Sequence, residues 1–283
     1  MSRLFLKFAN AVVSTVIGLA LLVTGLYAGY CLWDNNQIYN AAEDVQADMI
    51  KIKPIVMEEL EDGPSFADLL ELNPDVCAWV AMDNTRIDQP VVQGEHNLSY
   101  INTNIYGEYQ LAGSIFLDSR NDRTFPEQDY MLTYGHDMEN GGMYGDVALY
   151  KNEEFFDDNW NGTLIIPTGV YSLEAFACVV VDAADDLLFD PTFWNDRTRD
   201  EYKVYKENIW DLVDYACELS EQEGNKDNHV REETVEWMRE MEWITGVRPQ
   251  VFALSTCSFE FTNARTVLLT VMQPYEPFRQ GGN

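Results

Sequence analysis

The feature that most limits how this chain can fold is an uncharged, mostly apolar run from Phe8 to Trp33. This run is long enough to cross a bilayer as one helix, and Arg3 and Lys7 precede it. A secretory signal peptide is the competing interpretation, but it would have a shorter apolar core followed by a small-x-small cleavage site. We therefore predict an uncleaved signal anchor over residues 1–33. The basic residues put the short N-terminal side in the cytoplasm and the rest of the chain outside.

The charge balance excludes several classes of function. The chain has 48 acidic and 18 basic residues, with a formal net charge of -30. Such a surface repels nucleic acid and anionic lipid, so we predict no nucleic-acid partner. An acidic coat instead keeps an extracellular domain soluble. The acidic clusters lack the alternating Asp/Asn spacing with a central Gly that a calcium loop needs, and we predict neither a metal site nor a cofactor.

The segment after the anchor is predicted to be a helical stalk or linker over residues 34–64. Apolar residues recur at helical spacing between Asp34 and Met49, which indicates an amphipathic helix. The acidic stretch Glu58–Pro64 ends in Gly-Pro, which breaks a helix. Ser65–Asp68 then fits a capping box, so a further helix is expected to begin there.

From Trp79 onward the chain changes to short apolar runs separated by turn residues. Such a pattern is typical of a mainly β closed barrel or a sandwich, and spacing alone does not distinguish them. Between Val181 and Gln250, apolar and aromatic residues return to helical spacing in two runs, which predicts two helices inserted between strands. The predicted strands are Trp79–Met82, Ile87–Val92, Ser114–Leu117, Tyr130–Tyr134, Thr163–Pro167, Tyr171–Val181, Val251–Thr256 and Thr266–Met272.

The last two predicted strands suggest a chemistry. Cys257 ends the run that begins at Val251, and Arg265 stands just before the run that ends at Met272. If the strands are neighbours, a thiol and a fixed cation face each other at the mouth of a sheet. A thiolate is a nucleophile, and a nearby cation lowers the pKa of a thiol. A guanidinium can also donate to the oxyanion that forms when a thiolate attacks a carbonyl.

A proton carrier must come from the three histidines of the chain. His96 lies in a polar turn and His229 in a charged segment that we predict to be a loop. His136 follows the apolar run Tyr130–Tyr134 and a glycine, so it shares with Cys257 a position at the end of a strand. His136 is therefore the candidate acid and base.

Four of the five cysteines lie outside the candidate site. Cys31 lies in the predicted membrane helix, and Cys77 and Cys178 lie among apolar neighbours and are predicted to be core residues. Cys217 lies on a helical stretch. A disulfide among these stays open for an exported domain. Cys257 must be unpaired if it is a nucleophile.

These residues, in their order along the chain, resemble the sortases, and class B most of all. The resemblance extends from about Phe66 to Pro274. A Thr-Cys pair with a downstream Arg and an upstream Gly-His is a specific signature. The motifs that carry it are Trp79-Val80, Thr85–Gln93, Gly113–Asp118, Tyr134-Gly135-His136, Gly142-Met143-Tyr144, Leu149-Tyr150, Leu254–Cys257 and Asn263-Ala264-Arg265.

The resemblance implies a closed eight-stranded barrel in an extracellular catalytic domain over residues 65–283. The helical insert, at about 182–249, is longer than the single helix that the class carries in this connection. Its aromatic side chains either cover the barrel wall or wall the substrate groove. The predicted localisation is the cell membrane of a Gram-positive bacterium, single-pass, with the catalytic domain outside.

The resemblance also implies catalytic roles. Cys257 is expected to attack a Thr–Gly or Thr–Asn type bond of a sorting signal, Arg265 to stabilise the oxyanion, and His136 to protonate the leaving amine. Strand alternation lets one of Ser255 and Thr256 line the groove, and we predict Ser255. Tyr134 shares a face with His136 and is a candidate to contact substrate, although a place in the barrel core fits equally well.

The implied function is transpeptidation that attaches surface proteins with a C-terminal sorting signal to peptidoglycan through a precursor amine. A second hypothesis has a pilin lysine as the acceptor. A cysteine hydrolase is a third, but papain-like families usually place Cys before His, and here His136 precedes Cys257. A non-catalytic surface binding module is a fourth. The sorting motif and the acceptor amine are not apparent from the residues.

Overall fold

The structure, a computed structural model, describes residues 2–54, 65–125, 128–195, 209–222, 226–257 and 262–274, without the side chains of Ser2 and Cys257. The chain divides into two compact units, residues 1–41 and residues 42–283. The acidic stretch Glu58–Pro64 lies outside the described residues. The domain boundaries at residues 33 and 64 therefore remain predictions.

The N-terminal segment forms one long helix, α1, over Ser2–Ile50. This helix is long and apolar enough to span a membrane, with a mean hydropathy of 2.1 over its most apolar window. The predicted amphipathic helix over Asp34–Met49 is the end of α1. Met49 belongs to the second unit, where its buried side chain packs with the buried residues Leu69 and Trp79.

The second unit is built on a closed barrel of eight strands, which confirms the predicted fold class. Neighbouring strands follow the order β5-β1-β2-β3-β4-β8-β9-β6, and pairing of β5 with β6 closes the ring. The strands are β1 Val76–Met82, β2 Asp88–Val92, β3 Ile115–Leu117, β4 Tyr130–Tyr134, β5 Asn161–Ile166, β6 Gly169–Asp182, β7 His229–Val230, β8 Gln250–Cys257 and β9 Ala264–Pro274.

Two strand pairs, β2–β3 and β4–β8, are parallel, and the other pairs of the ring are antiparallel. Each of the eight predicted strands overlaps one strand of the barrel, with ends that differ by a few residues. The short apolar runs between turn residues therefore identified the wall of the barrel correctly.

The ninth strand, β7, was not predicted. His229, expected in a loop, pairs with Cys178, and Val230 pairs with Ala177. A two-residue strand is too short to carry an alternation signal. It forms because β6 is longer than β5, which pairs only with Gly169–Glu174 and leaves the rest of that edge open to another strand.

The described helices after α1 have between 4 and 14 residues. The predicted capping box is present at the start of α2, where the Asp68 carboxylate accepts a hydrogen bond of 2.6 Å from the Ser65 backbone N–H. The elements are α2 Phe66–Leu72, a 3-10 helix over Gly145–Lys151, α3 Glu153–Asp158, α4 Asp186–Phe189, α5 Thr192–Asn195, α6 Ile209–Ser220 and α7 Glu232–Thr245.

The insert between β6 and β8 contains the two predicted helices as α6 and α7. It also contains α4 and α5, which are too short to show a helical repeat in the sequence. Buried apolar residues of the insert, such as Leu212 and Val213, form one cluster with buried barrel residues such as Phe176 and Val179. Much of the insert therefore covers the barrel wall, as one of the two predictions stated.

We expect the substitution Leu212→Ala to destabilise the protein strongly, because the side chain of Leu212 is fully buried between the insert and the barrel. The free energy of unfolding should fall by about 2–5 kcal/mol. Leu98→Ala is the matched control, since Leu98 is 70% exposed; it should change that value by less than about 0.5 kcal/mol. Urea denaturation of the full chain in detergent measures both. Equal effects would show that the insert is not part of the cooperative core.

Candidate functional site

The predicted site residues lie where β4, β8 and β9 meet. The parallel pairing of β4 with β8 places Tyr134 opposite Ser255, and the Gly135 N–H donates to the Ser255 carbonyl at 3.1 Å. The antiparallel pairing of β8 with β9 places the backbone of Cys257 opposite that of Arg265. His136 follows β4 by two residues. One end of the barrel therefore carries all three predicted catalytic positions on adjacent chain segments.

A pocket of about 120 Å³ opens at this end of the barrel. Four of the five predicted site residues, Tyr134, His136, Ser255 and Arg265, line it. The fifth, Cys257, is placed by its backbone alone. The full lining is Ile101, Ser114, Phe116, Tyr134, Gly135, His136, Ser255, Thr256 and Arg265.

The loop after β4 holds His136 at the mouth of the pocket. Its Nε2 atom lies 3.0 Å from the Ile101 carbonyl oxygen, and its own carbonyl accepts from the Tyr144 N–H at 3.1 Å. A carbonyl only accepts, so Nε2 carries the proton in this bond, and Nδ1 is the atom that a neutral ring uses to accept a proton. Gly135 permits the close approach, because a Cβ there would lie 2.7 Å from the Tyr144 ring.

Arg265 presents its guanidinium to the pocket in a half-buried position. Its Nη1 donates to the neighbouring Ala264 carbonyl at 3.0 Å. Among the residues that the structure describes, no carboxylate forms an ion pair with Arg265. A guanidinium has five N–H donors, so the group retains donors for an anionic or carbonyl oxygen of a ligand.

Ser255, the residue predicted to line the groove, lines the pocket, and Thr256 lines it as well. Each residue is almost fully buried, and neither hydroxyl has a hydrogen-bond partner among the described residues. Burying an unpaired hydroxyl is unfavourable, so both groups are candidates for a polar partner that the described residues do not supply.

Tyr134 combines the two places predicted for it, since it is largely buried and lines the pocket. Its ring centroid lies 5.3 Å from that of Phe116, and its hydroxyl donates to Asp118 at 3.0 Å. Burial, and then the charge of Asp118, raise the pKa of Tyr134 far above that of a free phenol. The phenol therefore stays neutral and does not serve as a base.

Asp118 and Arg120 are site-adjacent residues that the sequence analysis did not single out. Asp118 is the last residue of the family motif Gly113–Asp118 and has no site role among the predictions. An acidic side chain directly after a buried strand was the available signal, because a buried carboxylate requires several donors. The structure supplies those donors, one of which is Tyr134 in the pocket wall.

Three of the other cysteines are described as free thiols. Cys31, Cys77 and Cys217 are free thiols, and Cys77 is buried, as predicted. Burial raises the pKa of Cys77 to about 12. Burial, and then the charge of Asp214, raise the pKa of Cys217 as well. A raised pKa makes a thiol a weak nucleophile at neutral pH.

Comparisons with known proteins identify the family. No protein-family model matches the chain. A solved class B sortase of Streptococcus pyogenes, described as involved in pilus biogenesis, is 30% identical, with a TM-score of 0.55 over 74% of this chain and 97% of that one. The chain belongs to the class B sortases.

Two further relatives agree with this assignment. The solved sortase B of Clostridium perfringens is 28% identical, with a TM-score of 0.55 over 74% of this chain and 100% of that one. Sortase B of Listeria monocytogenes is 27% identical over 188 residues, which are 66% of this chain and 74% of the relative. This chain is therefore a member of a family of cysteine transpeptidases.

The unpaired hydroxyl of Ser255 leads to a prediction about the free energy of unfolding. Ser255→Ala should change the free energy of unfolding of this class B sortase by less than about 1 kcal/mol, because no described partner is lost. Thr133→Val is the comparison. Thr133 Oγ1 lies 2.8 Å from the Tyr144 hydroxyl and donates to the Ala253 carbonyl at 2.7 Å, so its loss should cost about 1–3 kcal/mol. Equal losses for the two variants in urea denaturation would contradict the assignment.

The raised pKa of Cys77 predicts which thiols resist alkylation. At pH 8 a thiol with a pKa of about 12 is ionised in roughly one molecule in ten thousand, so iodoacetamide should leave Cys77 unlabelled in the folded protein. Labelling should rise with pH, and it should be complete in urea, where burial is lost. Mass spectrometry of tryptic peptides measures it. Equal labelling of Cys77 with and without urea at pH 8 would contradict the prediction.

Proposed function

We propose that this class B sortase is a membrane-anchored transpeptidase that cleaves a C-terminal sorting signal through a thioester on Cys257. The observation that carries the proposal is the strand register. It sets Cys257 opposite Arg265, while His136 follows the neighbouring strand beside the same pocket. One reaction requires a nucleophile, an oxyanion donor and a proton carrier at one place.

In the first half of the reaction, the Cys257 thiolate attacks the carbonyl carbon of the scissile peptide bond. The electron pair moves to the carbonyl oxygen, whose negative charge the Arg265 guanidinium stabilises. Collapse of this intermediate breaks the C–N bond, and protonated His136 donates its proton to the leaving amine. The N-terminal part of the substrate remains as a thioester on Cys257.

In the second half, an acceptor amine attacks the thioester. Neutral His136 takes a proton from this amine, Arg265 again stabilises the oxyanion, and the Cys257 thiolate leaves. Ser255 and Tyr134 line the pocket beside these groups and are the proposed contacts of the sorting signal. Water competes with the amine, so exclusion of water from the pocket favours transpeptidation over hydrolysis.

The proposed location follows from α1. Its apolar part anchors the enzyme in the membrane with the N-terminus in the cytoplasm, which the basic residues Arg3 and Lys7 favour. The barrel then lies outside the cell, where sorting-signal proteins and cell-wall precursors are exposed. The proposed outcome is attachment of surface proteins to peptidoglycan.

A pilin lysine is the second candidate acceptor. The 30% identical relative from Streptococcus pyogenes is described as involved in pilus biogenesis, which supports this alternative. Both acceptors are primary amines and use the same chemistry at Cys257. Only the surface that presents the amine differs.

The experiment incubates the full chain in detergent with a panel of sorting-signal peptides and either triglycine or a lysine-containing pilin peptide, and masses are recorded. We expect an acyl-enzyme on Cys257 followed by amine-ligated product. Cys257→Ala should form neither, and Cys217→Ala, the matched control, should behave like the wild type. Arg265→Lys should lower kcat by about 100-fold, since one positioned oxyanion donor typically contributes that much.

The contrary outcomes separate the other hypotheses. Product formation by Cys257→Ala would refute the assigned nucleophile. Release of free acid with every amine present would favour a hydrolase, and no adduct with any peptide would favour a binding module. A preference for the pilin peptide over triglycine would select the second acceptor.

A further inference from the structure

Asp118 is a buried carboxylate beside the catalytic pocket that the proposed reaction does not use. It follows β3 directly and is completely buried. Oδ1 accepts from the Arg120 backbone N–H at 2.9 Å and from Arg120 Nε at 2.8 Å. Oδ2 accepts from Arg120 Nη2 at 2.7 Å, Asn97 Nδ2 at 2.9 Å and the Tyr134 hydroxyl at 3.0 Å. Five donors on one buried group define its position closely.

The charge of this network is retained at neutral pH. Burial acts to raise the pKa of Asp118, but the hydrogen bonds and charge of Arg120, together with Asn97, outweigh burial and hold the pKa below its usual value. An ionised Asp118 and a protonated Arg120 therefore form a bidentate pair. A pair of this kind has a fixed relative orientation, because guanidinium and carboxylate are both planar.

Arg120 also contacts the helical insert. Its Nη2 donates to the Phe189 carbonyl at 2.6 Å, and its Nη1 lies 3.3 Å from a carboxylate oxygen of Asp190. Phe189 is the last residue of α4, the first helix of the insert. The same guanidinium therefore connects the end of β3 to the start of the insert.

Asp118 and Phe189, the two partners of Arg120, both contact Tyr134 in the pocket wall. The Phe189 ring stacks on the Tyr134 ring, with an angle of 18° between planes and 6.5 Å between centroids. Tyr134 in turn lines the pocket together with Phe116, the residue before the end of β3 at Leu117. The Tyr134 hydroxyl donates to Asp118. Arg120 donates to the backbone carbonyl of Phe189 on one side of this aromatic stack, and Asp118 accepts from the hydroxyl of Tyr134 on the other.

We propose that Asp118 and Arg120 are positioning residues that fix the insert against the aromatic wall of the pocket and thereby determine how tightly the sorting-signal peptide binds. The inference rests on the proposed function and assigns this part of the insert to the peptide groove, while α6 and α7 cover the barrel. Neither residue touches the reacting atoms. Their effect passes through Tyr134 and Phe189.

The test replaces Arg120 by lysine in the full chain. Lysine keeps a cation beside the buried carboxylate, but a single ammonium does not reproduce the planar fork that serves Asp118, Phe189 and Asp190 together. With the peptide that the wild-type enzyme cleaves, we expect KM to rise about tenfold while kcat changes less than about threefold. This result is expected when a binding interaction is lost equally from the ground state and the transition state. The rate of Cys257 alkylation by iodoacetamide should not change.

Arg123→Lys is the matched control. Arg123 lies in the same connection between β3 and β4, and the side chains of Arg120 and Arg123 are both 40% exposed. Arg123 contacts Asp75 and the Pro74 carbonyl and does not line the pocket. Its replacement should leave KM and kcat at wild-type values.

Tyr134→Phe is a second variant that keeps the ring and removes only the donor to Asp118. It should raise KM about threefold, and it tests the proposal even if Arg120→Lys does not fold. If the wild type is active but KM is unchanged in Arg120→Lys or in Tyr134→Phe, the inference is overturned while the proposed function stands. A rise of KM in Arg123→Lys equal to that in Arg120→Lys would overturn it in the same way. A wild type that forms no acyl-enzyme would overturn the proposed function and this inference with it.

Discussion

The parallel pairing of β4 with β8 is the constraint on which the site depends. The two strands are far apart in the sequence, but their carboxyl ends lie at the same edge, with Tyr134 opposite Ser255. A parallel pair requires a crossover between its strands, and here the chain between them contains β5, β6 and the insert. His136 and Cys257 reach one end of the barrel because each follows or ends a strand of this pair.

Closure of the barrel stabilises this arrangement. Since β5 pairs with both β1 and β6, each strand of the ring has a neighbour on either side, and the ends of β4, β8 and β9 lie within a wall without a free edge. The buried apolar residues of α6 and α7 pack on the outside of that wall. The pocket is therefore built on barrel strands, while Arg120 and Asp118 connect Tyr134 in its wall to Phe189 of the insert.

Much of the fold could be predicted, because buried strands are short apolar runs bounded by turn residues and amphipathic helices repeat apolar residues at helical spacing. The eight barrel strands, α6 and α7 were found in this way. His229 was assigned to a loop because a two-residue strand has no period, and α4 was missed for the same reason. Alternation predicts only Ser255 for the pocket, because consecutive side chains of a strand point to opposite faces, and Thr256 was found there only in the structure.

The sequence by itself determined the apolar N-terminal helix, the strand segments and the candidate residues His136, Cys257 and Arg265. Local patterns suffice for the helix and the strands because apolar residues recur along each segment, and the three candidate residues are identified by their places at strand ends and the motifs around them. Only the tertiary structure decided that β4 lies beside β8, and that Asp118 and Arg120 join Tyr134 to the insert. Such contacts depend on which distant segments of the chain pair. The sequence of either segment contains no repeating pattern that identifies its partner.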